Sequence, residues 1–561
     1  MLETLIDNAF ENRSLQLKKR DKIKEQNPIP WFLSQTIVGM CLYVDRFNKD
    51  LNGVSDKIDY FKDLGVNFLH LMPLMESPND ESDGGYAVSN FRSVKPQFGS
   101  NEDLSKLINN LHNNNMFIML DVVINHTSNQ HEWAKKALQG ESNFQDYYYF
   151  FDNYDEVLAY NQAMPDIFPE NSPTSFTYIP KLNKHVMTVF HHYQWDLNYR
   201  NPQVFLEMLD IIFYYANLGV DILRLDAPAF IWKTKGSTCQ NLPEAHQILQ
   251  MFKLAVLIVS PGLALLAEAI VAPHFILPYF GQGEQECDIA YNATNMALQW
   301  DALATQHTKI KLFSQPELNQ KPFGTTWINY IRCHDDIGLG YSDINIQKAG
   351  FNVFEHRQFI KQFYSGHLRY SYAKGALFGV NEKSQDARIS GSLASLCGLE
   401  KALENNNQFE INLALKRINL LLAYCIFSNG IPMLYYGDEM GCLNDYSFLD
   451  NPSQKYDNRW MHRPIIQWNL DLNSPLKAIR DDIFNELKHL ISIRKSIDIF
   501  ADTNNIKWVE LENNHVAGFI RESAETTIFC IFNYSNYPTT INSYQLKILL
   551  QCNTIFDLIN N

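Results

Sequence analysis

The sequence predicts an α/β protein built on a closed (β/α)8 TIM barrel, with long insertions after strands 3 and 7 and an all-β domain at the C-terminus. Eight short apolar runs alternate with longer segments of helical period, which is typical of parallel strands joined by helices. Two of the connections are too long to be simple loops. From about residue 498 the pattern changes to short strands and turns, which indicates a separate β-domain.

Each of the eight apolar runs has the length of a buried strand, and candidate helices such as 101–115 and 201–219 lie between them. The same alternation would suit an open, doubly wound sheet, so spacing alone leaves both architectures open. The number of units favours the closed barrel. The predicted strands are 36–44, 66–74, 116–124, 219–227, 262–270, 287–293, 326–335 and 431–439.

The chain divides where this pattern is interrupted. One charged helix with a proline-bounded link precedes the barrel, and long insertions follow strands 3 and 7, where barrels build substrate sites. The C-terminal β-domain is short. The predicted segments are 1–35 (N-terminal helical segment), 36–126 (barrel), 127–198 (insertion), 199–335 (barrel), 336–412 (insertion), 413–497 (barrel) and 498–561 (C-terminal β-domain).

Composition excludes several classes of function. The chain has 561 residues and a net charge of −15, so it offers no basic surface to nucleic acid or to an anionic membrane. No stretch reaches the ~18 apolar residues of a membrane helix, and residues 1–20 are polar and charged, unlike a secretory signal. Nine cysteines without a CxxC pair indicate reduced thiols. We therefore expect a cytoplasmic protein that binds neither nucleic acid nor membranes.

Charged residues interrupt the strand predicted at 219–227, GVDILRLDA. Arg224 and Asp226 are separated by one residue, so they share one face of that strand. Strand C-termini surround one mouth of a barrel, which is where catalysis occurs in this fold. Other predicted strands also carry polar residues at or near their C-terminal ends: Asp121, Asn125 and His126 for strand 3, Glu268 for strand 5, His334, Asp335 and Asp336 for strand 7, and Asp438 and Glu439 for strand 8.

Each of these charges has a structural interpretation when it is taken alone. Arg224 and Asp226 could form an ion pair in the core, and His126 could be a hydrogen-bonded core histidine. An isolated buried carboxylate such as Glu268 costs several kcal/mol, so it requires partners or a function. Polar clusters on several strand ends, all on one side of the barrel, are poorly explained by independent structural roles.

Three carboxylates around one pocket suit the cleavage of a glycosidic bond. Retaining enzymes use a nucleophile and an acid/base whose carboxyl groups are ~5–5.5 Å apart. Arg224 beside Asp226 keeps that carboxylate ionised, which suits a nucleophile. Apolar surroundings favour the protonated form of Glu268, which suits a general acid. Asp335 and His334 are then expected to hold sugar hydroxyls and to support the oxocarbenium-like charge.

Four short motifs carry a resemblance to a known family. DVVINH, GVDILRLDA, AEAI and the HDD after strand 7 occur in the order and spacing in which the chain resembles the α-amylase family of glycoside hydrolases and transglycosylases. The resemblance implies that Asp226 is the nucleophile, Glu268 the acid/base and Asp335 the transition-state stabiliser. It also implies three helpers at the glucose subsite, namely Arg224, His126 and His334.

Longer motifs are similar to those of the amylosucrases, a sucrose-using group within that family. They include ESDGGYAVSNFRSV, IRCHDDIG, DARISG and DNRWMHRP, and the similarity extends from about residue 25 to about residue 558. It implies a salt bridge between Asp83 and Arg459 that closes the pocket, so that one glucosyl unit fits. It implies further sugar contacts: Tyr86 on the glucose, Phe190 and Gln194 at its flanks, and Asp336, Arg357 and Arg388 at the fructosyl or acceptor unit.

The resemblance implies a retaining glucosyltransferase. Such an enzyme cleaves sucrose through a covalent β-glucosyl-enzyme, transfers the glucose to an α-1,4-glucan or another sugar, and releases fructose. A sucrose hydrolase on the same scaffold is the alternative. A non-catalytic binding subunit is the third reading, but such relatives lack the three carboxylates and carry a membrane helix.

The resemblance implies no metal and no organic cofactor, and we expect a monomer or a homodimer. The chain departs from the amylosucrase pattern in its short N-terminal segment, its short C-terminal domain and Pro165, which replaces an acceptor-contacting arginine. These departures leave assembly and product length open, and none of them affects the three carboxylates.

Overall fold

Eight parallel strands close into a barrel in the computed structural model of the chain, which confirms the fold predicted from the sequence. The structure describes residues 1–165, 167, 174–318, 321–381, 385–469, 475–542, 544, 546, 547 and 556–559. Each barrel strand pairs with its neighbours in chain order, and strand 8 pairs with strand 1. Strands 1 to 8 are Gly39–Leu42, Phe68–Leu71, Phe117–Val123, Ile222–Asp226, Ala264–Glu268, Ile289–Tyr291, Thr326–Asn329 and Ile431–Tyr435.

The register of strand 4 positions the charged residues of the barrel. Its five residues are all buried, as expected for a strand covered on both faces. Arg224 is paired with Asp121 of strand 3, and Asp226 is paired with Glu268 of strand 5. Because the strands are parallel, these side chains gather toward the C-terminal mouth of the barrel.

Helices connect the barrel strands. The helix Pro202–Leu218 is capped by Asn201, whose side chain accepts the Gln203 N–H, and it ends at Gly219 with φ 100°, a left-handed conformation that favours glycine. The chain then enters strand 4 directly. The helices around the barrel are Val44–Asn48, Leu51–Ser55, Ile58–Leu64, Asn101–Asn113, Pro202–Leu218, Pro243–Val259, Pro273–Ile276, Ala293–Thr305, Lys309–Leu318, Gln408–Phe427 and Pro475–Ser496.

The N-terminal segment forms two helices, Leu2–Asn12 and Leu15–Glu25, so the single charged helix expected from the sequence is wrong. The backbone of Arg13 is extended, with φ −69° and ψ 122°, and this ends the first helix. The Ser14 side chain then accepts the Leu17 N–H and starts the second helix. A local cap therefore divides a segment whose charge pattern is continuous.

Asp221, at the N-terminal end of strand 4, anchors this segment to the bottom of the barrel. Its side chain accepts hydrogen bonds from Lys24 Nζ at 2.7 Å and Arg20 Nη2 at 3.1 Å. It also accepts the Ile118 N–H at 3.0 Å and lies 3.1 Å from His112 Nε2. Burial alone would raise the pKa of Asp221, but Lys24 and His112 hold it well below its ordinary value.

The two ends of the insertion after strand 3 lie side by side, because His126–Ser128 pairs antiparallel with Gln194–Asp196. Between them lies a three-stranded sheet in the order Phe150–Phe151, Lys184–Met187, Phe176–Ile179. Residues 166 and 168–173 of the predicted 127–198 insertion lie outside the described part. The helices of the insertion are Glu132–Leu138, Ser142–Gln145 and Tyr154–Asn161.

The connection between strands 7 and 8 is mainly helical and carries one β-hairpin. In the hairpin, Ala376–Phe378 pairs antiparallel with Arg388–Ser390. A second hairpin, Met75–Glu76 with Asn90–Val94, follows strand 2. The helices of the connection that precede Gln408–Phe427 are Asp343–Lys348, Val353–Tyr364, Leu393–Leu396 and Leu399–Glu404.

A small all-β sheet follows the barrel, as the sequence predicts. Three antiparallel strands, Ile506–Val509, Val516–Glu522 and Thr527–Asn533, form it in chain order. Across the described residues, no helix combines the length and the apolar character that crossing a bilayer requires. The eight cysteines of the same residues are free thiols.

Candidate active site

Arg224 lies at the centre of the charged mouth of the barrel and is only 2% exposed. Its Nη1 atom donates to Asp226 Oδ1 at 3.0 Å and to the Tyr86 hydroxyl at 3.2 Å, and it forms an ion pair with Asp121. Its Nη2 atom lies 3.5 Å from Glu268 Oε1. The planar guanidinium therefore holds three carboxyl groups in fixed positions around one point.

Glu268, at the end of strand 5, has the protonation behaviour of a general acid. Its Oε2 atom accepts the Ala227 N–H at 3.2 Å. Burial raises the pKa of Glu268 to about 7, Asp335 acts in the same direction, and Arg224 opposes them. A carboxyl group with this pKa is largely protonated just below neutral pH and can donate its proton to a leaving group.

Asp226 shares the buried environment of Glu268 on the neighbouring strand. Burial raises the pKa of Asp226, Arg224 lowers it, and the negative charge of Glu268 raises it further. Two adjacent buried carboxyl groups do not both ionise readily, so the pair retains one proton near neutral pH. We place it on Glu268, because Arg224 donates a hydrogen bond to Asp226 at 3.0 Å but lies 3.5 Å from Glu268. Asp226 is then the ionised partner, as a nucleophile must be.

Asp335 and His334 follow strand 7 and face the same space. Burial would raise the pKa of Asp335, but His334, Arg459 and Arg463 lower it to about 2. His334 Nε2 lies 3.2 Å from Asp335 Oδ2 and 3.0 Å from the Tyr86 hydroxyl. Burial lowers the pKa of His334 to about 3. The site therefore contains an ionised Asp335 beside a neutral imidazole near pH 7.

Arg459 links three carboxylates at the edge of the site. Its guanidinium lies 3.1 Å from Asp83 Oδ1 and 3.3 Å from Asp335 Oδ1, and it donates to Asp457 Oδ2 at 2.8 Å. Behind this group, the Gln194 amide donates to Asp83 Oδ2 at 3.3 Å. The structure thus brings Asp83 and Arg459 together in the salt bridge that the resemblance implies.

Aromatic rings line the wall beside the carboxylates. The His126 ring centroid lies 5.3 Å from that of Phe190, and Tyr86 stacks on His334 with centroids 5.6 Å apart. Burial lowers the pKa of His126 to about 3, so its ring is neutral near pH 7. Such a wall combines apolar faces with hydrogen-bonding edges, which suits a sugar ring.

The three residues expected at the fructosyl or acceptor unit lie on the insertion after strand 7. Asp336 Oδ2 is 3.5 Å from Arg388 Nη1, and Arg388 also donates to the Ile167 carbonyl at 3.1 Å. Arg357 directs its guanidinium toward the segment 339–343, beginning with the Leu339 carbonyl at 2.7 Å. The structure therefore places Arg388 between the two insertions and turns the guanidinium of Arg357 toward the segment 339–343, beside the cavity that both residues line.

One cavity of about 1210 Å³ joins these groups at the mouth of the barrel. Every site residue predicted from the sequence lines it except Gln194, which lies behind Asp83. A cavity of this size exceeds what one sugar ring occupies. The cavity therefore has space for a second sugar unit beside the first.

Comparison with known proteins agrees with this geometry. The sequence profile of the family described as "Alpha amylase, catalytic domain" matches residues 26–336, which is more than half of the chain. The chain belongs to the α-amylase family. It is therefore an enzyme of the glucosyl-transferring and glucoside-hydrolysing kind, and the three carboxylates at the barrel mouth are the groups to which that chemistry is assigned from the sequence.

Similar proteins include a trehalose synthase/amylase of Mycolicibacterium smegmatis, 28% identical over 538 residues, with 88% of this chain and 81% of the relative covered. A glucosylglycerate phosphorylase of Escherichia coli is 26% identical over 485 residues, with 84% and 80% covered. Among solved structures, sucrose 6F-phosphate phosphorylase from Thermoanaerobacter thermosaccharolyticum matches with a TM-score of 0.69 at 19% identity, covering 91% of this chain and 96% of that one. The last similarity shows a shared fold.

Asp121 is a member of this α-amylase site to which the sequence analysis gave no role. It is buried, pairs with Arg224, and lies 2.7 Å from His70 Nε2. Burial would raise the pKa of Asp121, but Arg224 and His70 lower it. Asp121 thus supplies a permanent negative charge that orients Arg224. The signal was present in the sequence, because an aspartate within a buried apolar run requires a cationic partner.

Lys233 is a second buried group that the sequence analysis missed. Its ammonium lies 2.6 Å from Asp196 Oδ2 and 3.2 Å from Asn125 Oδ1, and its side chain is 0% exposed. It therefore joins the loop after strand 4 to both ends of the insertion after strand 3. Oxygen atoms that would otherwise suit a hard cation are here paired with an ammonium group.

Proposed function

We propose that the protein is a retaining glucosyltransferase that cleaves sucrose, passes the glucosyl group to an α-1,4-glucan or another sugar, and releases fructose. The observation that carries the proposal is the cluster in which Arg459 binds both Asp83 and Asp335 beside the catalytic carboxylates. We take this cluster as the closed end of the glucosyl subsite, past which a polysaccharide does not extend. The donor then presents one terminal glucosyl unit, with its leaving group toward the rest of the cavity.

In the first step Asp226 attacks the anomeric carbon of the glucosyl unit. The bond to the bridging oxygen breaks, and Glu268 donates its proton to that oxygen, so fructose leaves as a neutral sugar. The ionised Asp226 and the protonated Glu268 that this step requires correspond to the proton distribution of the pair. Asp335 stabilises the positive charge that develops on the ring.

In the second step the now ionised Glu268 removes a proton from an acceptor hydroxyl. That oxygen attacks the anomeric carbon, the bond to Asp226 breaks, and the acid form of Glu268 is restored. Two inversions at the same carbon retain the α-configuration. Water at the same position gives glucose instead, so transfer competes with hydrolysis at this step.

Five substrate contacts extend the proposal. Tyr86, His126 and His334 hold the glucosyl hydroxyls, with the two neutral imidazoles acting both as donors and as acceptors. Asp336 and Arg388 contact the fructosyl or acceptor unit. The names of the two relatives refer to trehalose and glucosylglycerate, each of which carries one glucosyl unit on a small partner, and this agrees with a pocket blocked at one end.

The test is to incubate the purified protein with sucrose alone and to quantify fructose, free glucose and iodine-staining polymer. We expect fructose in clear excess over glucose, with oligosaccharide or polymer accounting for the difference. Equal amounts of fructose and glucose would identify a sucrose hydrolase. An absence of fructose would overturn sucrose as the donor, and parallel incubations with trehalose, and with sucrose plus phosphate, would then identify the reaction of the site.

A further inference from the structure

We propose that the segment 337–344 is a pre-ordered wall of the acceptor site, and that Arg357 and Thr294 are positioning residues that hold it. This acceptor wall sets how much of the glucosyl-enzyme is transferred to a sugar rather than hydrolysed. The inference rests on the proposed function for its acceptor step. It reassigns Arg357 from a direct sugar contact to a residue that acts through the wall.

The cavity has two walls beyond the catalytic carboxylates. Residues 338–344 form one of them, and residues 268–274, which follow strand 5, form the other. Glu268 stands where the second wall begins, so a sugar accepted between the two walls lies next to the acid/base. An α-glucan end or a free sugar is the class of ligand that this position suits.

The acceptor wall is tied to the rest of the chain at both of its ends. Ile337 exchanges two backbone hydrogen bonds with Ile389, at 2.8 and 3.0 Å. That pairing aligns Asp336 with Arg388, whose charged atoms are 3.5 Å apart. At the other end the chain enters the helix Asp343–Lys348.

Three consecutive carbonyl groups of the acceptor wall are held by the side chains of Thr294, which lies behind the wall, and Arg357, which itself lines the cavity. Arg357 donates to the Leu339 carbonyl at 2.7 Å and to the Tyr341 carbonyl at 2.8 Å. Between them, the Gly340 carbonyl accepts the Thr294 hydroxyl at 2.7 Å. Thr294 does not line the cavity, so any effect of its hydroxyl on the acceptor passes through the wall.

The guanidinium of Arg357 has little capacity left for a sugar. Besides the two carbonyls, it donates to Asp343 Oδ1 through Nε at 3.1 Å and through Nη2 at 2.6 Å. These contacts occupy four of the five N–H groups that an arginine offers. A bidentate contact with sugar hydroxyls would require Arg357 to release the wall.

A buried aspartate fixes the Tyr341 side chain of the acceptor wall. The Tyr341 hydroxyl donates to Asp301 Oδ2 at 2.8 Å, and His356 is hydrogen-bonded to the same oxygen. Asp301 and Thr294 both lie on the helix Ala293–Thr305, and His356 and Arg357 both lie on the helix Val353–Tyr364. Two helices thus support the wall through paired contacts.

Pre-ordering matters because a mobile segment must lose conformational freedom when it binds a ligand, which lowers affinity. The partition of the glucosyl-enzyme between water and a sugar depends on acceptor affinity. Gly338 and Gly340 add space at the wall, since a Cβ atom at either position would meet no other atom within 4 Å. The wall therefore combines order with room for a sugar ring.

The experiment removes one hydroxyl from behind the wall, with Thr294→Val, and uses Thr305→Val as the matched control. Thr305 lies on the same helix, and its hydroxyl donates to the Asp301 and His307 carbonyls rather than to the wall. The donor is 4-nitrophenyl α-glucoside, so the test does not depend on sucrose. Nitrophenol release gives donor cleavage, and free glucose gives the hydrolysed fraction as maltotriose is increased.

We expect Thr294→Val to raise the maltotriose concentration for half-maximal transfer by about fivefold, the size of effect that one lost hydrogen bond produces. In Thr294→Val, donor cleavage without maltotriose should change less than about twofold. In Thr305→Val, donor cleavage and the maltotriose concentration for half-maximal transfer should both change less than about twofold. Arg357→Met should raise the maltotriose concentration for half-maximal transfer more than Thr294→Val does. Arg357→Lys should raise it less than Arg357→Met. Hydrogen exchange of the peptide spanning 337–344 should quicken in the variants with impaired transfer.

Three results would overturn the inference. One is a normal acceptor response in Thr294→Val together with a large loss in Arg357→Met, which would make Arg357 a direct sugar contact. Another is an equal loss of donor cleavage and of transfer, which would indicate general damage to the fold. The third is an unmodified enzyme whose products do not change with maltotriose. Failure of sucrose as a donor would instead contradict the proposed function alone.

Discussion

Two buried aspartates at opposite ends of strand 4 show how one strand serves both stability and chemistry. Asp221, at the bottom of the barrel, accepts hydrogen bonds from Lys24, Arg20 and a backbone N–H, and its pKa is held well below the ordinary value. Asp226, at the mouth, has one cationic partner and a carboxyl neighbour, and its pKa is raised. Both residues are buried, and their partners account for the opposite directions of the two pKa shifts.

The difference teaches that burial alone does not identify a functional carboxylate. A buried charge with enough opposite charge and hydrogen bonds is satisfied, and it stabilises the fold. Buried carboxyl groups that share one cation do not all ionise readily, so one of them keeps a proton near neutral pH that it can donate in catalysis. Asp226 and Glu268 share Arg224 in this way, whereas Asp221 has two cations of its own.

The largest effect is expected from a change at Asp226, at the C-terminal end of strand 4. Asp226→Asn should lower donor cleavage by about 10⁴-fold or more, because no other group can form the covalent intermediate. Its melting temperature should not fall, because the change removes one of several crowded carboxylates. The measurement is fructose release from sucrose beside thermal unfolding. A folded variant with near-normal turnover would refute the mechanism.

Glu268→Gln should produce the next largest loss, about 10²- to 10⁴-fold for sucrose, because general acid catalysis contributes that range. The loss should be much smaller for 4-nitrophenyl α-glucoside, whose leaving group needs no proton. In the unmodified enzyme, Glu268 must be protonated and its pKa is about 7, so sucrose cleavage should decline as the pH rises above 7. If sucrose cleavage by Glu268→Gln declined with pH in the same way, the decline in the unmodified enzyme would be due to another group.

Asp221→Asn, at the N-terminal end of strand 4, should destabilise the fold without changing the catalytic groups at the mouth of the barrel. Removing this charge leaves Lys24 and Arg20 unpaired, which costs about 3–5 kcal/mol for a buried pair. The folded-state pKa is lowered, so this stabilisation is present above the unfolded pKa of about 4 and is lost as the pH falls below it. The variant should therefore melt lower at pH 7, and the deficit should shrink in acid. A pH-independent deficit would contradict the assignment.

The smallest effect should come from Arg20→Met. Its side chain is 23% exposed, and Asp221 keeps Lys24, His112 and the Ile118 N–H without it. We expect a loss below about 1 kcal/mol in the free energy of unfolding and an unchanged rate of sucrose cleavage. Urea unfolding would measure the change in the free energy of unfolding. A loss as large as that of Asp221→Asn would show that the aspartate depends on this one cation.

The eight strands could be predicted because a strand buried on both faces must be apolar along its whole length. The carboxylates could be predicted for a related reason, since Asp226 and Glu268 are conspicuous in such runs. The division of the N-terminal segment was not predicted, because it depends on a single side-chain cap at Ser14 within a continuous charge pattern.

The partners of Arg357 could not be predicted from the sequence. Its main acceptors are the carbonyls of Leu339 and Tyr341, and backbone carbonyls are the same in every residue. The partners of Asp221 were hidden for another reason, because Lys24 lies 197 positions away along the chain. Motifs thus indicate which side chains carry the chemistry, while the groups that hold them in place require the fold.

Lys233 joins the barrel to the insertion after strand 3 by a contact that does not depend on a bound ion. Its ammonium joins Asp196 and Asn125, and it is covalently part of the chain. A bound ion would be subject to dilution, to competition and to chelators, whereas a tethered charge keeps a constant local concentration beside its partners. Salt also screens a buried pair only weakly. The wall that carries His126 and Phe190 should therefore keep its shape in media of very different ionic composition.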